Sequence, residues 1–379
     1  MKHKIFLAFF FLLMTACGKH MQPLPGETDH SYDWHPQHQA YQQILDQYQV
    51  NTRAPGSILY VSRPDHPEWV GAVGWLRLDT KQPMTVNTPF RIGSITKVFV
   101  AALILQLADK GVLSLSSKLQ DLLPQVSAQI PGSQHITVHH LLAHLSGIYD
   151  PVNEDNQYKT DLIDDPVGMG KRTTEQLLDK YVYGKKLYFK PGSEYRYSNS
   201  GYWLLGLIAE KLSGKSLSDQ LMEGIVAPLA LHSTYLQKKQ HTGVSAGYAL
   251  VNNSTTPRIT EVTSLDAADG DGKAAGGITS SAKDLGTFYR ALFGGQLISA
   301  ASLAEMKKIQ LPTCNGEDCR YGLGLEVWKL GELTAFGHNG SSVGYECNAL
   351  FFEKSKTVVV LFKNIGGGSD KRFFESLGQ

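Results

Sequence analysis

One helix does most to limit what this chain can fold into. From Ser94 to Lys110 the residues read as a single long helix that stops at Gly111. Ile95, Val98, Phe99, Val100, Ala101, Ala102, Leu103, Ile104, Leu105 and Leu107 place apolar side chains nearly all round it. A helix without a polar face belongs inside the body of a protein. The one charge between Ser94 and Asp109 is Lys97. A buried ammonium is costly unless paired or neutralised, so the pKa of this lysine should fall, and lysines treated this way serve as general bases. Ser94 lies three residues earlier, on the same face. It also sits at the helix N-terminus, where free N–H groups and the dipole favour an alkoxide or a tetrahedral oxyanion. A second Ser-x-x-Lys, Ser280–Lys283, opens an ordinary polar helix, where Ser280 reads as an N-cap.

Two further groups carry chemistry. Tyr197-Ser198-Asn199 follows a Lys190-Pro191-Gly192-Ser193 turn and leads into a helix beginning near Asn199. A phenol beside Lys97 would have its pKa lowered and become a proton shuttle. His338-Asn339-Gly340 ends a strand and runs into Ser341, with Gly340 allowing close approach of a substrate backbone. His241-Thr242-Gly243 lies in a loop-rich stretch and reads as incidental.

The order of elements is strands, helices, then strands again. Ser57–Val61 and Trp69–Leu76 form a hairpin. Residues 112–245 are mostly helical patterns, among them Val138–Leu145, Thr174–Tyr183, Asn199–Leu212 and Leu217–Val226, and 246–275 is loop-rich. Helices over Ser281–Leu292 and Ala300–Ile309 precede strands at Gly322–Leu330, Leu333–Gly337, Glu346–Phe352 and Thr357–Lys363, with a closing helix over Asp370–Leu377. This predicts an α+β fold: one sheet assembled from both chain ends, about 39–110 plus 275–379, with a helical subdomain, about 111–274, inserted.

Ser94-Ile-Thr-Lys97, Tyr197-Ser-Asn199 and His338-Asn-Gly340, in that order, resemble the three motifs of the penicillin-recognising serine hydrolases. That group includes class C β-lactamases, D-alanyl-D-alanine carboxypeptidases and family VIII esterases. Pro89-Phe90-Arg91-Ile92-Gly93, Leu141–Gly147, Ala227–Leu231 and Ala275–Ile278 agree with it. The resemblance implies an antiparallel β-sheet with helices on both faces and the site between sheet and helical subdomain. It implies that Ser94 is acylated, that Lys97 helps deprotonate it, and that Tyr197 passes a proton to the leaving group and then activates water. Asn199 would bind a substrate amide, and the N–H groups of Ser94 and Ser341 would form an oxyanion hole. The third motif departs from the Lys-Thr-Gly of class C enzymes. A histidine there is only partly charged near neutrality and would hold a substrate carboxylate less firmly, so β-lactam hydrolysis should be poor. The expected activity is that of a carboxypeptidase-like or esterase-like hydrolase without cofactor or metal, acting on a stem peptide of peptidoglycan, an ester or a β-lactam. The alternatives are a weak class C-type β-lactamase and a non-catalytic peptidoglycan-binding lipoprotein. A retired enzyme would be free to lose Ser94, Lys97 or Tyr197.

The N-terminus reads as an address. A basic start is followed by apolar residues from Ile5 to Met14, a run whose helix would reach only about 15 Å, too short to span a bilayer core of about 30 Å. Leu13-Met14-Thr15-Ala16-Cys17 resembles a bacterial lipobox. The expectation is a signal peptide over 1–16, an acylated Cys17, a flexible tether over 17–38 and a periplasm-facing lipid anchor. Gly18 in place of Asp favours the outer membrane. In that oxidising compartment Cys314 and Cys319 are expected to pair, whereas Cys347, within an apolar strand, reads as a buried thiol. The balance of 36 Lys+Arg against 35 Asp+Glu excludes a nucleic-acid binder built on a general basic field. Three patterns are set aside. Gly340-Ser341-Ser342-Val343-Gly344 matches a nucleophile elbow but is followed by strand rather than helix. His140 and His144 lack the further ligands of a zinc site. Asp266, Asp269 and Asp271 sit among Ala and Gly rather than in a calcium loop.

Overall fold

The computed structural model describes residues 27–236, 243–251, 258–270, 272–311, 320–367 and 371–378. Cys17, Cys314 and Cys319, and the expectations resting on them, lie outside these residues.

The chain ends meet in one seven-stranded antiparallel sheet. Its order is Gln82–Pro83, Trp69–Arg77, Gly56–Ser62, Val358–Lys363, Glu346–Phe352, Leu333–Ser341, Glu326–Leu330. The first and last parts of the sequence are joined where Leu59 pairs with Leu361 and Ile58 with Phe362. Alternation along these strands feeds two cores. Ile58, Tyr60, Val358, Val360 and Phe362 face the larger one, beneath Leu285, Phe288 and Leu292 of the helix Ala282–Phe293. Leu59, Val61, Val359 and Leu361 face the other, beneath Tyr41, Leu45 and Tyr48 of the helix His38–Thr52 and Phe374 and Leu377 near the C-terminus. A strand buried on both faces must be apolar throughout. Each such side chain contributes roughly 1.5–3 kcal/mol on burial. The fold is therefore the predicted antiparallel sheet with helices on both faces.

The apolar helix runs from Thr96 to Asp109, preceded by a 3-10 turn over Gly93–Ile95. The helix Asn199–Ser213 packs against it and against Val138–Leu142. That packing brings the start of the second motif to the start of the first.

Three expectations need correction. The tether does not extend to residue 38: from Glu27 the chain is laid along the sheet edge. Thr28 bridges to Val73, the Asp29 carboxylate accepts from Val86 N at 2.9 Å, and His35 is buried with Nε2 3.0 Å from Pro67 O. The stretch 246–275 is not simply loop. It holds the hairpin Tyr248–Val251 with Arg258–Glu261 and the helix Thr263–Gly270, short pieces with little periodicity to announce them. The strand expected from Gly322 starts at Glu326, because Gly324 turns the chain at φ +77°.

Candidate active site

Ser94 sits on the 3-10 turn, just ahead of the apolar helix and at the wall of a cleft of about 250 Å³. Lys97, one turn on, is fully buried. Its Nζ donates to Asn199 Oδ1 at 2.9 Å and to Ala275 O at 2.6 Å, and lies 3.0 Å from Ser94 Oγ. Two of these partners can only accept, so they take two N–H bonds. The third direction faces Ser94, and in the neutral amine that direction holds the lone pair. Burial lowers the lysine pKa to about 7, against the pull of Asp150, Glu326 and Asp269. The amine is therefore available near neutrality, as the sequence predicted.

Tyr197 approaches from the other side, its hydroxyl donating to Ser94 Oγ at 2.8 Å. The Lys97 Nζ is 4.8 Å from its ring centroid. The expected fall in the tyrosine pKa does not occur. Burial raises it well above the ordinary phenol value, outweighing the hydrogen bond to Ser94. Tyr197 thus stands as a proton donor. Asn199 lies beside Lys97 at the start of its helix.

His338 is placed differently from expectation. Its side chain has no exposure and does not line the cleft. Nδ1 faces the Asn339 carbonyl and, at 3.4 Å, the Glu326 carboxylate. Both are acceptors, so Nδ1 carries the proton and Nε2 accepts from the Tyr321 hydroxyl at 2.9 Å. Burial and the Lys97 charge push its pKa down to about 3. The residue is a neutral support 6.3 Å from Tyr197, centroid to centroid, and supplies no charge to a substrate carboxylate. Asn339 and Ser341 of this strand, and Ser342 just after it, reach the cleft instead.

Gly340 lets the strand end touch the nucleophile turn. A Cβ there would lie 1.9 Å from Ile92 O, and one on Gly93 would lie 3.3 Å from Ser341 N. The backbones at Ser94 and Ser341, both at the cleft wall, are thereby brought close together.

Several residues at the cleft or just behind it were not anticipated. Asp150 is buried and accepts from Asn199 Nδ2 at 3.1 and 3.3 Å and from Asn153 Nδ2 at 2.6 Å. It is the first acid after the Leu141–Gly147 segment, which was the available clue. Asp266 and Asp269, set aside as loop acids, line the cleft from a helix. Asp266 lies 3.5 Å from Arg91, and Asp269 accepts from the Tyr158 hydroxyl at 2.7 Å. Trp203 and Lys273 complete the wall.

The patterns set aside find structural places. His140 forms a capping box with Thr137. His144 is buried beside Tyr197. Ser280 is not the helix cap: Ser281 accepts from Asp284 N, while Ser280 pairs with Phe90 across a short ladder. Cys347 is a buried free thiol.

A serine held between a buried amine and a phenol at the wall of a cleft defines a protein built for acyl transfer through serine. A sequence model of the Beta-lactamase family matches residues 41–375, so the chain belongs to that family of serine hydrolases. It is 28% identical over 305 residues to penicillin-binding protein 4* of Bacillus subtilis (strain 168), covering 76% of this chain and 63% of that protein. It therefore spans less than two thirds of that relative's length. It is 27% identical over 353 residues to penicillin-binding protein 4 of Amycolatopsis lactamdurans, covering 90% and 88% of the two chains. Among solved structures, a D-stereospecific amidohydrolase from Streptomyces sp. superposes with a TM-score of 0.78 at 27% identity, covering 90% of this chain and 98% of that one.

Proposed function

We propose that the protein hydrolyses an ester, amide or D-peptide acyl donor through an acyl-enzyme on Ser94. The observation that carries this is the arrangement at Ser94 Oγ, with the Lys97 amine at 3.0 Å and the Tyr197 hydroxyl at 2.8 Å. Lys97 takes the serine proton as Oγ attacks the acyl carbon. The N–H groups of Ser94 and Ser341 receive the oxyanion, and Tyr197 delivers a proton to the leaving group. Water then releases the acyl group by the reverse path. The carboxypeptidase-like reading takes support from the penicillin-binding relatives, and the amide reading from the D-stereospecific amidohydrolase. The neutral, buried His338 favours donors without a terminal carboxylate over D-alanyl-D-alanine termini and β-lactams.

The test is labelling with an activated fluorophosphonate and a fluorescent penicillin, with Ser94→Ala as control. Wild type labelled no more than the mutant ends the enzyme reading. Release of D-Ala from a D-Ala-D-Ala peptide, compared with turnover of a p-nitrophenyl ester and a chromogenic cephalosporin, then chooses the donor.

We also infer an envelope lipoprotein, anchored through Cys17 and facing the periplasm. Its support is the basic start, the short apolar run and the lipobox-like Leu13–Cys17. Incorporation of labelled palmitate that is lost in Cys17→Ser checks it.

A further inference from the structure

Asn199 can direct either end of its amide at Lys97, and the two choices have opposite consequences. With the carbonyl oxygen inward, the amide takes one N–H of Lys97 and leaves the lone pair for Ser94. With the NH₂ inward, it opposes the amine with a donor. Something must choose between them, and the neighbour on the far side of the amide is Asp150. An ionised carboxylate only accepts hydrogen bonds. It therefore takes the Asn199 Nδ2 end, at 3.1 and 3.3 Å, and the oxygen is left facing Lys97 at 2.9 Å.

We propose that Asp150 is a positioning residue, locking the Asn199 amide and so aiming the Lys97 amine at Ser94. The proposal rests on the acyl-enzyme reading given above. Asp150 is 1% exposed and immediately precedes the short helix Pro151–Glu154. Its Oδ2 also accepts from Asn153 at 2.6 Å, and Asn153 lines the cleft. Placing a carboxylate here is costly, and burial pushes its pKa up to about 6. A merely structural position would be better served by a neutral side chain. The titratable groups that share its field are Lys97, Tyr149, Tyr158 and Tyr197, and Glu326, Asp269, His144 and His338 interact with the same lysine. The tyrosines all have raised pKa values and stay neutral, so the charge that Asp150 meets is that of Lys97.

The experiment follows Ser94 acylation by a fluorophosphonate and turnover of a p-nitrophenyl ester across pH. In Asp150→Asn, kcat is expected to fall at least ~10-fold with KM little changed, since orientation is lost but not binding. The acidic limb of the pH profile is expected to move to lower pH, because the carboxylate that raised the lysine pKa is gone. In an Asn199→Ala background, adding Asp150→Asn should cost little more, since its route to Lys97 is already cut. The same measurements on Asp150→Ser guard against a variant lost to misfolding. The proposal is overturned if acylation in Asp150→Asn matches wild type, or if its loss of kcat persists in full without Asn199. Failure of wild type to label would instead remove the acyl-enzyme reading, and this proposal with it.

Discussion

The imidazole of His144 lies 4.2 Å from the ring of Tyr197, centroid to centroid. The same residue grips the chain on either side of that tyrosine. Its carbonyl accepts from Arg196 N at 3.0 Å, and its Nδ1 accepts from Ser198 N at 3.1 Å. It does so from a left-handed backbone conformation, φ +59°, which a non-glycine residue adopts at a cost. Burial keeps the ring neutral, with the neighbouring Lys97 and His338 adding to the effect.

His144→Ala should therefore damage both stability and rate. The Ser198 N–H would be buried without an acceptor and the ring would leave a void, together worth about 2–4 kcal/mol. Acylation should also slow by at least ~10-fold as Tyr197 loosens. Urea denaturation and fluorophosphonate labelling measure the two. An unchanged labelling rate would mean that the bracket does not set the tyrosine.

The pH dependence of ester turnover should report Lys97. The amine, not the ammonium, accepts the serine proton, so kcat/KM should rise with pH through a midpoint near the lysine pKa of about 7. His338, at about 3, is neutral throughout that range, and Tyr197 remains a phenol. His338→Gln should accordingly leave the midpoint in place even if the rate falls. A midpoint that moves in this variant would return the titration to the histidine.

These two sites mark what was readable in the sequence. Lys97 declared itself because a charge inside an apolar helix breaks a local pattern, and its lowered pKa follows from that alone. The sheet was legible because its central strands are apolar on both faces and lie at both chain ends. His338 misled because a motif names a residue without its surroundings. The acceptors Asn339 O and Glu326, and the Tyr321 hydroxyl that fixes its tautomer, come together only in the fold. Tyr197 misled for a related reason: the nearby lysine was foreseen, but the burial that makes that lysine a neutral amine and raises the phenol was not. Asp150, Asp266 and Asp269 carry no periodic signal, and an acid in a loop-rich sequence gives no sign that it will be buried.

Cys347 should be inert in the native protein. It lies on the interior strand Glu346–Phe352 with no exposure, and burial raises its thiol well above the ordinary range. Mass mapping after iodoacetamide treatment should find this cysteine unmodified in buffer and modified in denaturant. Modification under native conditions would mean that the strand opens far more readily than its packing implies.

Gly340→Ala should separate oxyanion stabilisation from binding. The added Cβ would fall 1.9 Å from Ile92 O, a contact between backbones that no rotamer relieves. Relief requires the end of the strand Leu333–Ser341 to move away from the turn Gly93–Ile95. That movement carries the Ser341 N–H away from the Ser94 N–H, so both no longer reach one oxygen. Losing one such donor costs on the order of 100-fold in kcat, with a smaller effect on KM. Gly331→Ala is the control. Gly331, unlike Gly340, has a positive φ, +57°, so its alanine is strained in the backbone, but it has open space where its Cβ would be. It should lose a little stability and keep its kinetics. Equal kinetic losses in the two variants would show a general effect of backbone strain, and the oxyanion role of Ser341 would then have no support from this contact.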